Sequence, residues 1–363
     1  MVAADYLIVG AGLTGAVIAR CLADAGREIL VVERRAHPGG NVHDHVHPSG
    51  IRVHTYGPHY FRTDSDAIWA FVNRFADFVP FEARVQTCVG GHLEPWPISR
   101  TRALELAGFG WRPEHTGVAA SFEEECLARM PQAIYVRFVK GYTEKQWGVP
   151  ATALDAQLAE RLRVGVDDDP RLVTHRHQAL PVAGYAACFE RLLAGVPLLL
   201  NTDYLAERTH FAARRLLIYS GPIDEYFGWE LGKLEYRGQV RSHYYYPDQA
   251  YVLPCVQVNY PDPADGPHVR RIEWKHLLPA EQAATIRGTV VTTETPVTPA
   301  TPDGFEYPVP SDRNRRLYAA YRERVSHNPR VLICGRLGEY RYYDMDHAIA
   351  RATALAHRIL AND

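Results

Sequence analysis

The segment DYLIVGAGLTGAVIARCLADAGREILVVERR, residues 5–35, leaves few choices for the fold of the chain that carries it. Tyr6–Val9 is a short apolar run, the pattern of a strand buried in a parallel sheet. Gly10, Gly12 and Gly15 follow as G-x-G-x-x-G, with Leu13 and Thr14 between the last two, and an apolar stripe of helical period runs from Ala16 to Ala25. Gly26 ends that helix, Ile29–Val32 is a second strand, and Glu33 closes it. Each part has a physical task. Gly10 permits a tight turn, Gly12 lets the backbone approach a pyrophosphate, and Gly15 lets helix and strand pack closely. The helix N-terminus turns free N–H groups and a positive dipole end toward phosphates. Glu33 is placed to accept hydrogen bonds from ribose hydroxyls. Strand, helix, second strand and terminal acid at this spacing predict a Rossmann-like dinucleotide-binding unit.

Composition narrows the partners. A formal net charge of −2 and a pI of about 6.8 provide no basic field for nucleic acid or an anionic membrane. No run of about 18 apolar residues occurs, so no membrane span is expected. The N-terminus lacks a basic n-region and a cleavage site, which points to a cytoplasmic protein. The six cysteines are widely spaced, with no C-x-x-C, and read as thiols in a reducing compartment. His43, His45 and His47 alternate and would share one face of a strand, a spacing open to zinc. They follow the Gly-Gly turn of RRAHPGGN, and the expectation is a solvated or cofactor-edge hairpin, with no metal.

RRAHPGGN, residues 34–41, resembles the continuation found in FAD proteins related to amine oxidases. A late strand, Val331–Cys334, and a helical pattern from Asp346 to Leu360 supply a second helix N-terminus, as such flavoproteins use beneath the isoalloxazine. FAD is therefore expected rather than a bound nicotinamide. The segments YGPHYF, KGYTEKQWG, LPVAGY, SGPIDEYFGWELGKLEYR, RIEWKH and GRLGEYRYYDM extend the likeness over nearly the whole chain. In these the sequence resembles the bacterial UDP-galactopyranose mutases. The resemblance implies an α/β fold with a Rossmann-like FAD-binding domain, a small helical domain and an antiparallel sheet. The expected boundaries are 1–75, 180–236 and 325–363 for FAD, 98–179 for the helical substrate domain with its mobile loop, and 76–97 with 237–324 for the sheet. A homodimer is expected.

The resemblance also implies chemistry. The family isomerises a UDP-sugar between pyranose and furanose with noncovalent FAD, reduced by NAD(P)H or another donor, and with no net redox change. N5 of the reduced flavin attacks the anomeric carbon, UDP departs, and the sugar ring opens and recloses. Carried onto the motifs, the FAD contacts are the Gly10–Gly15 turn with Leu13 and Thr14, then Glu33, Arg34, Gly40, Asn41, Gly57, Pro58, His59, Ser220, Arg336, Asp344 and Met345. Phe138 and Tyr142 would stack the uracil, Thr143 would bond toward ribose and phosphate, and Trp147 would line the ribose. His59, Arg62, Arg270, Arg336 and Tyr342 form the catalytic set, with His177, Arg270, Tyr307 and Tyr342 on the substrate.

The match breaks around the sugar and diphosphate. The family places a second diphosphate arginine in the mobile loop, where this sequence has Gly165 followed by Asp167, Asp168 and Asp169. The loop tyrosine becomes His177, a second histidine becomes Arg62, and an asparagine near the sugar becomes Ala83. Either Arg62, Arg161 or Arg163 replaces the missing cation, or the pocket is rebuilt for another nucleotide sugar, such as a deoxy- or aminosugar. The three aspartates are expected to repel a diphosphate. Two rival functions remain: an amine-oxidase-like flavin oxidoreductase, which would need an apolar tunnel, and an inactive nucleotide-binding flavoprotein.

Overall fold

The structure, a computed structural model, describes residues 1–363 apart from 109, 165, 166 and 363 and the side chain of 161. The strand Val2–Val9 lies at the centre of a five-stranded sheet in the order Leu198–Leu199, Ile29–Val32, Val2–Val9, Phe211–Tyr219, Val331–Ile333. Every pairing is parallel, which is why these strands are continuously apolar: both faces are covered. Ile8 and Val31 face one core and Leu7 and Val32 the other. The helix Leu13–Asp24 buries Ala16, Val17, Ala19 and Leu22, and packs against the last helix, Met345–Ala361. The expected Rossmann-like unit is present, and the expected α/β fold class holds.

A second sheet has seven strands, in the order Tyr307–Pro308, Tyr236–Tyr246, Thr289–Val297, Arg270–Glu273, Gln257–Asn259, Val85–Val89, His92–Trp96. All neighbours are antiparallel except Gln257–Asn259 with Val85–Val89. Two of the expected boundaries are displaced. The strand His177–Pro181 pairs with Phe61–Thr63 and Phe78–Pro80, so a division at 179/180 cuts a strand. The helix Asp312–Ser326 buries Tyr321 against Ile223, Leu234 and Tyr236, which ties it to the body of the parallel sheet. Neither pairing is local in sequence, so no pattern at the boundary announces it.

The helical unit is built on Phe122, Cys126, Ile134, Tyr135 and Val139. Its main helix runs from Gln132 to Trp147 and widens to π geometry over Tyr135–Lys140. Half of KGYTEKQWG bolts this unit to the seven-stranded sheet. Lys145 Nζ donates to the carbonyls of Tyr260, Asp262 and His268 at 2.9, 2.6 and 3.2 Å. Arg237 caps the helix end through the carbonyls of Gln146 and Lys145 at 2.9 and 3.3 Å. Glu144 accepts the Ala151 N–H, and Gly141 lies so close to the Pro261 carbonyl that a Cβ would approach it to 2.2 Å.

Candidate functional site: a dinucleotide cleft opening onto an arginine-lined cavity

At the C-terminal edge of the parallel sheet lies a cavity of about 190 Å³. Gly10, Gly12, Leu13 and Thr14 line it together with Glu33, Arg34, Arg35, Asn41, His59 and Met345, and Arg35 donates to Asn41 at 3.0 Å. Ser220 and Gly40 also line it. Gly10 needs its glycine, with φ at +98° and the Ser220 hydroxyl where a Cβ would go. At Gly12 a Cβ would meet only Gly40 Cα, at 3.9 Å, so the side chain it lacks is space in the cavity. Gly15 faces the protein: a Cβ there would lie 2.0 Å from the Gly10 carbonyl. Two helices start at the cavity, at Leu13 and Met345; the N-cap residue of neither bonds its first N–H groups, and in the second Asp346 takes the His347 N–H at 2.8 Å. These amides are anion sites by geometry. The cleft thus fits a dinucleotide: an acid at a ribose position, a glycine gap for the pyrophosphate, and two helix N-termini.

Glu33 is buried, and its oxygens accept from Ala11 N at 2.7 Å and Arg35 N at 2.9 Å, which fixes the carboxylate at the end of its strand. Arg34 forms two hydrogen bonds to Glu225, at 3.0 and 2.8 Å, so its charge is matched before any ligand arrives. Gly57 does not line this cleft and backs onto Glu294 and Arg241.

A second cavity, also about 190 Å³, adjoins the first and shares Asn41, His59, Arg336 and Met345 with it. Its walls carry Arg62, Arg270 and Arg336. Glu306, Asp344, Tyr307, Tyr342 and Pro58 complete the side chains singled out from sequence or paired with them. Tyr56, Tyr60, Leu172 and Gln257 also line it and were not anticipated; Tyr56 and Tyr60 flank the motif histidine in TYGPHYF, a signal within reach.

Behind the wall, Glu294 is fully buried and accepts from Arg241 Nε at 2.8 Å and Arg270 Nε at 2.5 Å. Arg241 also makes two bonds of 2.8 Å to Glu306. Burial opposes the charge on Arg270, but Glu294, Tyr142 and Tyr307 hold its pKa well above the ordinary value. Burial pushes the Tyr307 phenol up to about 12 against the pull of Arg270, so it is a neutral hydroxyl. Tyr307 and Tyr342 lie parallel, 6.2 Å between ring centroids, and Arg336 sits over the Tyr342 ring at 4.8 Å. Arg336 donates to the carbonyls of Glu306 and Tyr343 at 3.3 and 2.6 Å. Arg62 pairs with Asp344 at 3.1 Å, and Tyr342 donates to the other oxygen of the same carboxylate at 3.1 Å.

His59 stands where the cavities meet. Its Nδ1 is 2.8 Å from the Gly57 carbonyl, which only accepts, so Nδ1 carries the proton. Burial, then His54, pushes its pKa down to about 3, so the ring is neutral and Nε2 is an acceptor.

Several expectations need correction. Phe138 is 3% exposed, inside the helical core. It is therefore no stacking surface in this structure. On an α-helix it would share a face with Tyr142 four residues on, but the π winding between them changes the phase. Thr143 is buried and Trp147 packs on the same core, while Tyr142 reaches the wall beside Arg270. His177 stacks on Trp69 at 4.8 Å and bonds Asp66 at 3.0 Å, turned away from the cavity by its strand. Ala83 is buried among Ile51, Val256 and Trp274. The loop aspartates are consumed locally and do not face a ligand. Asp167 pairs with Arg163 at 2.7 Å, Asp169 with Arg171 at 2.7 Å, and Asp168 accepts from Thr101 at 2.9 and 3.0 Å. Gly165 and the Arg161 side chain lie outside the described residues. His43 and His45 both bond Thr55 and His47 bonds Ser49, and among the described residues no group of three or more metal-ligating side chains forms.

Comparison with known proteins gives this geometry a family. Residues 8–75 match an NAD(P)-binding Rossmann-like domain, and residues 137–342 match the UDP-galactopyranose mutase family model. A probable UDP-galactopyranose mutase of Klebsiella pneumoniae is 32% identical over 99% of this chain and 95% of its own length. A dTDP-fucopyranose mutase of Escherichia coli is 31% identical over 98% of each. A crystal structure of reduced UDP-galactopyranose mutase has the same fold, with a TM-score of 0.80 at 15% identity, covering 100% of this chain and 95% of that one. The fold is also shared, at 12% identity and a TM-score of 0.68, with a putative protoporphyrinogen oxidase from Exiguobacterium, covering 99% of each chain. By sequence over nearly its full length, the chain belongs to the UDP-galactopyranose mutase family.

Proposed function

We propose that the protein binds FAD in the glycine-floored cleft and isomerises a nucleotide sugar between pyranose and furanose in the adjoining cavity. The observation that carries this is the shared wall of Asn41, His59, Arg336 and Met345: a dinucleotide site opens directly onto a polar cavity edged by three arginines. The chemistry a reduced flavin supplies when bound is a nucleophile for the anomeric carbon. The chain's residues do the rest. Arg270 and Arg336 attract the diphosphate and stabilise the charge that gathers on it as the glycosidic bond breaks. Tyr307, a neutral phenol, and Tyr342 offer hydroxyls along the same wall. Arg62, on its strand opposite Asp344, takes the place of the missing loop cation. His59 Nε2 accepts a hydrogen bond at the junction. Tyr142, beside Arg270, stacks the base, which sets the nucleotide at the outer end of the cavity.

An amine-oxidase-like reaction is not favoured, because the second cavity is lined by charges rather than forming an apolar tunnel. The two relatives of nearly equal identity are named for different sugars, so both are arms of the test. Dithionite-reduced protein incubated with UDP-galactopyranose or dTDP-fucopyranose should give the furanose by NMR in at least one arm. Reduced protein that isomerises neither sugar, nor any in a wider UDP-, dTDP- and GDP-sugar panel, would refute the proposal.

A further inference from the structure

We propose that His54 is a positioning residue: together with Tyr185 it clamps the His59 backbone, so that the His59 ring presents an unprotonated Nε2 at the junction of the two cavities. His54 Nδ1 accepts the His59 N–H at 3.0 Å, and the Tyr185 hydroxyl donates to the His59 carbonyl at 3.0 Å. Both backbone groups of one residue are thus held by side chains from elsewhere in the fold. The His59 ring is held in turn by Gly57, as described above. Neither His54 nor Tyr185 lines either cavity, so neither is accounted for by ligand contact.

The two jaws are locked to each other. His54 ends the strand Arg52–His54, and Tyr185 lies in the first turn of the helix Gly184–Leu192. Asp44, directly across the ladder from His54, joins them. Its buried carboxylate accepts from Tyr185 N at 2.6 Å and Ala186 N at 3.1 Å, and pairs with Arg52 at 3.1 Å. The His54 ring is 3% exposed and cannot swing. Tyr185 meets it edge-on at 5.4 Å and Trp274 lies at 5.2 Å, itself pinned by its bond to Thr292 at 2.6 Å. Burial, with Arg52 and His45 adding to it, pushes the His54 pKa down to about 3, so its Nδ1 stays an acceptor across the working range. A rigid, neutral acceptor on the His59 backbone holds the residue where its ring meets the Gly57 carbonyl, and that carbonyl fixes the tautomer. The clamp rests on the proposed function only for what His59 then does.

The test uses the flavin-loaded full chain with His54→Asn, which keeps an acceptor oxygen near the place of Nδ1, and His54→Phe, which keeps a ring and loses the acceptor. Hydrogen exchange at the His59 amide is read by mass spectrometry, and kcat and KM are read with whichever of UDP-galactopyranose and dTDP-fucopyranose turns over. In His54→Phe the amide should exchange about tenfold faster and kcat should fall about tenfold with KM nearly unchanged, the scale of one lost buried hydrogen bond. His54→Asn should restore both. Unchanged exchange in His54→Phe, or equal damage in both variants, overturns the clamp. If His54→Phe fails to fold, Tyr185→Phe, which removes a single oxygen, must raise His59 exchange in the same way; a silent Tyr185→Phe overturns the proposal. A wild type that isomerises no sugar yet shows this dependence refutes the mutase reading and supports the clamp.

Discussion

Replacing Glu294 by glutamine keeps the shape of the side chain and removes a charge from a place water does not reach. One carboxylate oxygen becomes an amide nitrogen and faces a guanidinium N–H, donor against donor. A charge-assisted bond of about 1.5–3 kcal/mol is lost. The cluster of Arg241, Arg270, Glu294 and Glu306, two cations against two anions, becomes net positive. Removing one partner of a buried ion pair costs about 3–5 kcal/mol. Arg270 is still 17% exposed, so solvent screens part of this, and a loss of about 3 kcal/mol is expected. For a chain of this size that is a fall in Tm of roughly 4 °C. The deficit should also depend on pH. Burial alone would raise the Glu294 pKa, but Arg270 and Arg241 outweigh it and hold it below the usual carboxylate value. The folded pKa lies below the unfolded one, so the stabilisation is complete above about pH 4.3 and is lost as pH falls through the folded value. Urea unfolding followed by circular dichroism at pH 7 and again near pH 3.5 measures both effects. A deficit under about 1 kcal/mol at pH 7, or one that does not shrink in acid, would refute the reasoning.

Three further outcomes are expected. Gly12 has φ −67° and ψ 179°, open to any residue, so Gly12→Val should fold, fill the pyrophosphate gap and leave less than about a tenth of the normal FAD content; full flavin by absorbance would show the cleft misassigned. Tyr142→Ala should weaken UDP by about 1–3 kcal/mol in calorimetry, the value of one base stack, and an unchanged Kd would leave Tyr142 only its contact with Arg270. Arg62→Ala should lower kcat/KM by more than about tenfold, roughly 1.5 kcal/mol for a charge-assisted bond, with flavin retained; a silent variant would remove Arg62 from the diphosphate wall.

The parts of this molecule legible in the sequence are those fixed by local pattern. The two apolar runs and the glycine turn place the parallel sheet and its cleft because strand, turn, helix and second strand follow one another without interruption from Val2 to Val32. The ion cluster was not legible. Arg241 meets Glu294 from 53 positions away and Glu306 from 65, and only the register of three antiparallel strands and the chain beyond them brings them together. Phe138 was misplaced by a π turn, which leaves no compositional trace. The loop aspartates were the opposite case. Arg163 lies four residues before Asp167 and Arg171 two after Asp169, so their mutual pairing could have been read from spacing.

That pairing changes what the lost loop arginine means. Around the second cavity stand Arg62, Arg270 and Arg336, with Arg241 behind them, against the carboxylates of Glu294, Glu306 and Asp344. Four cations against three anions leave one positive charge for a diphosphate that carries about two. Arg336 is the source of that excess, since its donors go to two carbonyls and it has no carboxylate partner among the described residues. The remaining attraction must come from dipoles, and the fold supplies one. The helix Met345–Ala361 begins at Asp344, on the wall itself; Asp344 does not cap it, and of its first N–H groups that of His347 is taken by Asp346 Oδ1 at 2.8 Å. A helix N-terminus carries about half a positive charge. It stands beside the Arg62–Asp344 pair, so on the proposed function a diphosphate that draws Arg62 forward would meet the helix end behind it.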